Sequence, residues 1–220
     1  MNNFKGDKKA PMTSPTAKIE KKLVNFLVPR IPKWIKGHHL TLMSLPISIG
    51  IALSGYAAAQ NNLNWLWLMS FLIFSQWFTD SLDGSLGRHR KAGIPRWGFY
   101  MDHMLDFVFA TSILLGYSFL FNFPQNNLIL LFIPVISAFM ISSYLLYGAT
   151  QQFKITFLGL GPTELRILTI IFNTCLIYLG TSFVEKALVP ALIISILGLT
   201  LVIFQTQRRI WLLEKSDPLE

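Results

Sequence analysis

Charge is what this chain has least of, and acidic charge least of all. Only 14% of its 220 residues are Asp, Glu, Lys or Arg, where a soluble domain carries roughly a quarter. Acids number 11 against 19 Lys and Arg, a formal charge of +8. With 52% hydrophobic residues, that shortage excludes a disordered tail protein and argues against a cytosolic globule. The single cysteine, Cys175, excludes a disulfide framework and a cysteine-based zinc site. The first residues are polar and basic, without the apolar stretch of a signal peptide. Basic chains often bind nucleic acid, but they keep their charge on a hydrophilic surface. Here the apolar content points to a membrane, and no nucleic-acid partner is expected.

About 20 apolar residues cross a bilayer as a helix. Six stretches qualify, at residues 39–60, 63–85, 98–121, 126–149, 160–182 and 185–207. Pro46, Pro134 and Pro190 fall inside them, where neighbouring helices can re-satisfy the freed carbonyls. Short polar connectors favour antiparallel neighbours in one bundle. The fold class expected is therefore an all-α integral membrane protein with six transmembrane helices. Residues 1–15 read as a disordered leader and 16–36 as a juxtamembrane amphipathic segment. The six-helix membrane domain covers 37–207, and 208–220 form a tail. In the juxtamembrane segment Ile19, Leu23, Phe26 and Leu27 share one face, opposite Lys21, Lys22 and Asn25. That pattern predicts an interfacial helix lying on the membrane. Every Lys and Arg except Lys186 falls on one side of the expected spans, so both termini should face the cytoplasm. Trp65, Trp67, Trp97 and Trp211 are placed like interface belts, and Cys175 reads as apolar packing.

With so few acids, their placement is informative. Asp7, Glu20, Glu185, Glu214, Asp217 and Glu220 lie in tails or at a loop edge, where solvation accounts for them. Asp80, Asp83, Asp102, Asp106 and Glu164 instead sit within or at the edge of apolar spans. A carboxylate there costs a few kcal/mol and marks a functional site by default. Asp80, Asp83, Gly84 and Gly87 share a helix face at the cytoplasmic end of the second span; Gly98, Asp102 and Asp106 share one at the start of the third. A short basic loop lets the two faces meet. Four facing carboxylates cannot all stay ionised without cations between them. Two hard divalent ions, Mg²⁺ or Mn²⁺, would satisfy them, and a two-metal site suits phosphoryl displacement. Gly84, Gly87 and Gly98 leave room for a phosphate or nucleotide, and Arg88 can grip phosphate oxygens with its planar fork.

The run Asp80-x2-Asp83-Gly84-x2-Gly87-Arg88-x9-Gly98-x3-Asp102-x3-Asp106 closely resembles the signature of the CDP-alcohol phosphotransferases. One departure is Gly87, where that family usually has alanine. The resemblance implies an enzyme that displaces CMP from a CDP-linked alcohol with a second alcohol's hydroxyl. It also implies that Asp80, Asp83 and Asp102 hold the metal pair and that Asp106 acts as general base and also touches metal. Gly84, Gly87, Arg88 and Gly98 would line the cytidine diphosphate site, and the protein would be a homodimer among membrane lipids.

Donor and acceptor divide such enzymes into two arrangements. His103, directly after Asp102, and Glu164, in Gly161-Pro162-Thr163-Glu164, resemble the aminoalcohol branch, which joins CDP-choline or CDP-ethanolamine to diacylglycerol. In that branch both residues lie near the reacting hydroxyl. Glu164 alternatively reads as a helix-start carboxylate. Arg166 reads as a cytoplasmic anchor or as the binder of a phosphate on a polar acceptor. That last role fits the other branch, in which CDP-diacylglycerol meets glycerol phosphate, serine or inositol phosphate. His38, His39 and His89 lie in basic boundary stretches and are assigned no catalytic part. A rival from another class is a divalent-cation transporter, since intramembrane acids also mark ion paths.

Overall fold

The computed structural model describes residues 17–150 and 161–216, and among them every regular element is a helix. The expected leader, Lys154 and the end of the tail lie outside the described residues. The first helix, α1 (Ala17–Leu27), runs into a 3₁₀ turn at Val28–Arg30, where Pro29 presets the backbone. An extended connector then leads to α2 (Gly37–Leu42) and α3 (Ser44–Gln60).

Two of the expected spans are each divided in the same way. The first breaks at Met43, between α2 and α3, three residues before Pro46. The fourth appears as α6 (Gln125–Leu130) and α7 (Phe132–Thr150), broken at Leu131, three residues before Pro134. A proline has no N–H and its ring crowds the carbonyl four residues back, so the ladder opens just upstream. Pro190 is carried inside α9 (Ser182–Ser216) without such a break. That last helix also runs past residue 207, because no glycine or proline interrupts Gln205 to Ser216 and Pro218 follows.

Between these lie α4 (Trp65–His89), α5 (Pro95–Ser118) and α8 (Pro162–Leu179). Among the described residues four stretches are long and apolar enough to cross a membrane: Gly37–Gln60, Gln125–Thr150, Pro162–Leu179 and Ser182–Lys215. Helices α4 and α5, with 25 and 24 residues, have the length. Their hydropathy is diluted by Asp80, Asp83 and Arg88 on one and Arg96, Asp102 and Asp106 on the other. The two helices that bear the acid motif are therefore the two of six expected spans that fall short.

Helix α3 packs most extensively on α5 and α4. A side chain on Gly55 would collide with the backbone of Gly116, so α3 and α5 cross in backbone contact there. Around that crossing Ile51, Leu66, Met69, Ile73 and Leu176 are fully buried. One polar relay threads this core: Tyr117 donates to Asn173 Oδ1 (2.6 Å), and Asn173 Nδ2 donates to Ser70 Oγ (2.9 Å). It ties α5, α8 and α4 through three buried side chains, which satisfy one another's polar groups.

A second, smaller core joins the N-terminal segment to the end of α4. Val24 and Val28 pack on Leu82 and Leu86. Just beyond, Arg90 donates to the carbonyls of Ile31 (2.7 Å), Pro32 (3.1 Å) and Ile35. Within the connector Ile35 N–H also donates to Pro32 O (3.1 Å), and the guanidinium's five donors serve the carbonyls around that turn.

Candidate active site

The acid motif is laid along two helices. The C-terminal turns of α4 carry Asp80, Asp83, Gly84, Gly87 and Arg88, and the first turns of α5 carry Gly98, Asp102, His103 and Asp106. Helical periodicity puts each acid set on one face, as the spacing predicted. What joins the two sets comes from a third helix. Arg166 of α8 reaches Asp80 Oδ2 at 2.8 Å and lies 3.7 Å from Asp106 Oδ1. Its side chain is 9% exposed, against 22% for Asp80 and 38% for Asp106. A buried guanidinium needs such partners, since an unpaired charge at that depth is costly. Its plane also lies over the Phe109 ring, 5.5 Å from the centroid.

Asp83 is engaged elsewhere. Thr41 of α2 donates to Asp83 Oδ2 at 2.6 Å and sits beside a close approach of backbones. A side chain on Gly37 would stand 2.8 Å from the Asp83 carbonyl oxygen, so only glycine lets α2 lie there.

His103 and Tyr144 form a third group. A carbonyl only accepts, so His103 Nδ1, 2.7 Å from the Phe99 oxygen, is the donor in that contact. Tyr144 of α7 meets the His103 ring edge-on at 5.1 Å between centroids and donates to the His103 carbonyl at 3.3 Å. Its phenol lies within Coulombic reach of Asp106 and Asp102.

Glu164 turns back on its own helix. Gly161 N–H donates to Glu164 Oε2 at 3.0 Å, closing the first turn of α8, with Pro162 in the position that needs no donor. The helix-start reading of this residue is thus observed in the geometry.

The glycines differ from one another. Arg88 folds over Gly84, its guanidinium 3.3 Å from where a side chain would begin, and donates to Ser85 Oγ (3.0 Å). Gly98 has nothing within 4 Å of that position. At Gly87 a Cβ would sit 3.3 Å from the Cα of Gly93, because the loop after α4 folds back there. That tight return gives a local reason for glycine where alanine is usual.

Glu20 requires a correction. Read from sequence as a solvated tail acid, it accepts from Ser81 Oγ (3.0 Å) and from Thr163 Oγ1 (2.9 Å). Thr41, Tyr144 and Gly37 were likewise passed over. Their signal was slight: polar or small residues inside apolar runs, and one acid in an otherwise basic helix.

The four motif carboxylates offer only oxygen donors, which in kind suits a hard divalent cation. Among the described residues no three acids, histidines or cysteines are gathered around a common point. Arg166 provides the positive charge between Asp80 and Asp106 in this arrangement.

Compared with known families, the chain matches CDP-alcohol phosphatidyltransferase over residues 37–206. It belongs to that family. Comparison with curated proteins returns no match. The matched region begins at Gly37, against Asp83, and takes in α2 through most of α9. CDP-alcohol phosphatidyltransferases are transferases, so the protein is an enzyme that moves a phosphoalcohol group from a CDP-alcohol to an acceptor. The cation-transporter reading gives way to that assignment. Members of the family are generally dependent on divalent cations.

Proposed function

We propose that the protein makes a phospholipid by transferring a phosphoaminoalcohol from CDP-choline or CDP-ethanolamine to diacylglycerol. The observation that carries the aminoalcohol reading is the His103–Tyr144 pair, which fixes an imidazole on the helix that bears Asp102 and Asp106. Asp80, Asp83, Asp102 and Asp106 would hold two Mg²⁺ or Mn²⁺ ions, which supply positive charge to the pyrophosphate and its leaving CMP. Gly84, Gly87 and Gly98 let the donor's phosphates approach the helix backbone, and Arg88 contacts their oxygens. Asp106 takes the proton as the acceptor hydroxyl attacks the β-phosphorus. One P–O bond forms to the acceptor, and the P–O bond to CMP breaks. His103 and Glu164 orient the hydroxyl.

A second reading draws on Arg166. A guanidinium this close to the acids also suits a phosphate on a polar acceptor, as a CDP-diacylglycerol-dependent enzyme would need. The Asp80 contact occupies that guanidinium here, which favours the first reading.

In the membrane, α4 and α5 join the four apolar stretches as spans. Helix α1 lies at the interface with Ile19 (72% exposed) and Phe26 (57% exposed) towards lipid. Both termini and the site face the cytoplasm, and two copies form a homodimer.

The test offers purified protein labelled CDP-choline, CDP-ethanolamine and CDP-diacylglycerol with candidate acceptors, with and without Mg²⁺ or Mn²⁺. Metal-dependent CMP release and a choline or ethanolamine lipid are expected. Product from CDP-diacylglycerol alone overturns the aminoalcohol branch. Unchanged release by both Asp83→Asn and Asp106→Asn overturns the assigned site.

A further inference from the structure

Helix α1 is short and basic, and within Ala17–Leu27 it carries one acid, Glu20. Both of that acid's oxygens are used, and on different helices. Oε1 accepts from Ser81, the residue directly after the motif acid Asp80 within α4; Oε2 accepts from Thr163, the residue before Glu164 in the first turn of α8. Hydrogen bonds to an ionised carboxylate are the stronger kind. The Val24 and Val28 contacts with Leu82 and Leu86 seat α1 on α4. Once α1 is seated, the free arm of the carboxylate fixes where α8 begins.

From this we infer that Glu20 is a positioning residue, a bridge that sets the spacing of α4 and α8 across the reaction site. The same two helices meet at Asp80 and Arg166, so the bridge and the ion pair hold one gap from two sides. Remove Glu20 and the Arg166–Asp80 contact is left as the polar tie between α4 and α8 at the level of the acids, the Asn173–Ser70 bond lying further along both helices. Displacements of about 1 Å at such distances cost up to about a hundredfold in rate. The inference rests on the site assignment above.

Charge and bridging can be separated by chemistry. In Glu20→Gln the amide oxygen still accepts from one hydroxyl and the NH₂ donates to the other, so a neutral bridge survives. Glu20→Ala removes it. In bilayer discs, Glu20→Ala is expected to lower kcat for CMP release about tenfold or more, with KM for the CDP-alcohol and the thermal midpoint little changed. Glu20→Gln should restore most of that rate. Adding Thr163→Val to Glu20→Ala should cost nothing further, because both remove one link. Wild-type kcat in Glu20→Ala, failure of Gln to rescue, or losses that multiply in the double variant would each overturn the bridge. A distance measurement is independent of turnover. Spin labels at Phe78 of α4 and Leu168 of α8, both exposed, in a Cys175→Ser background, should give one narrow distance that broadens in Glu20→Ala; an unchanged distribution refutes the proposal. Should the wild-type chain release no CMP from any donor, the functional reading fails, while the label distances still judge the bridge.

Discussion

Arg166 of α8 holds Asp80 of α4 at 2.8 Å, and the two residues lie 86 positions apart in the chain. Two partly exposed acids on α4 and α5 are thereby given a cation from a third helix. Breaking such a buried pair by removing one partner costs about 3–5 kcal/mol, less where one partner stays wet as Asp80 does. Arg166→Leu should lower the denaturation midpoint in detergent and abolish CMP release. Replacing Asp80 with Asn in the same chain should recover part of the stability and none of the activity. A midpoint unmoved by Arg166→Leu would show the pair to be dispensable for folding.

Gly37 makes a second prediction, through Asp83. A methyl group there meets the Asp83 carbonyl at 2.8 Å, which is backbone and cannot swing aside. Gly37→Ala must shift α2 and with it Thr41, whose hydroxyl donates to Asp83. Both Gly37→Ala and Thr41→Val should lower kcat, by about tenfold for a lost bond that positions a reacting group. Combined, they should cost little more than Gly37→Ala alone. Steady-state kinetics of the three variants decide it.

The crossing of α3 and α5 concerns the fold rather than the chemistry. Gly55 and Gly116 touch backbone to backbone, a geometry that small residues permit between membrane helices. Gly55→Leu overfills it and should cost about 1–3 kcal/mol or more. Gly198 has open space around it, so Gly198→Leu serves as the tolerated comparison. Yield of folded protein and unfolding in denaturant measure both.

Arg90 supplies a fourth. It bonds the connector carbonyls of Ile31, Pro32 and Ile35, so Arg90→Ala should leave that segment open to protease between Leu27 and Gly37. Arg90→Lys keeps the charge and loses the fork, and it should protect only in part. Equal cleavage of wild-type and Ala chains would show that something else secures the connector.

How much of this was legible in the sequence depends on the reach of each interaction. The acid faces of α4 and α5 follow from helical spacing alone, and Glu164's return to Gly161 follows from a Gly-Pro start. Glu20 was not legible, because Ser81 and Thr163 lie 61 and 143 positions away. No local pattern marks a partner at such range. The facing acids of the motif could be read from spacing, but not that Arg166 reaches Asp80 and Asp106 or that Thr41 bonds to Asp83. The prolines show a subtler limit. Pro46 and Pro134 each follow a break and Pro190 follows none, although all three sit in apolar runs. Whether a lost bond opens a helix depends on neighbours that a single chain segment does not reveal.

The distant origin of Arg166 carries a consequence for how the protein is made. Asp80 leaves the ribosome 86 residues ahead of its cation. During that interval α3, α4 and α5 can assemble around the Gly55–Gly116 crossing, which uses only chain already synthesised. The acids must spend it protonated, hydrated or screened by ions from solution. The Gly55–Gly116 crossing can thus form from α3 and α5 alone, whereas the Asp80–Arg166 contact must wait until α8 has been made.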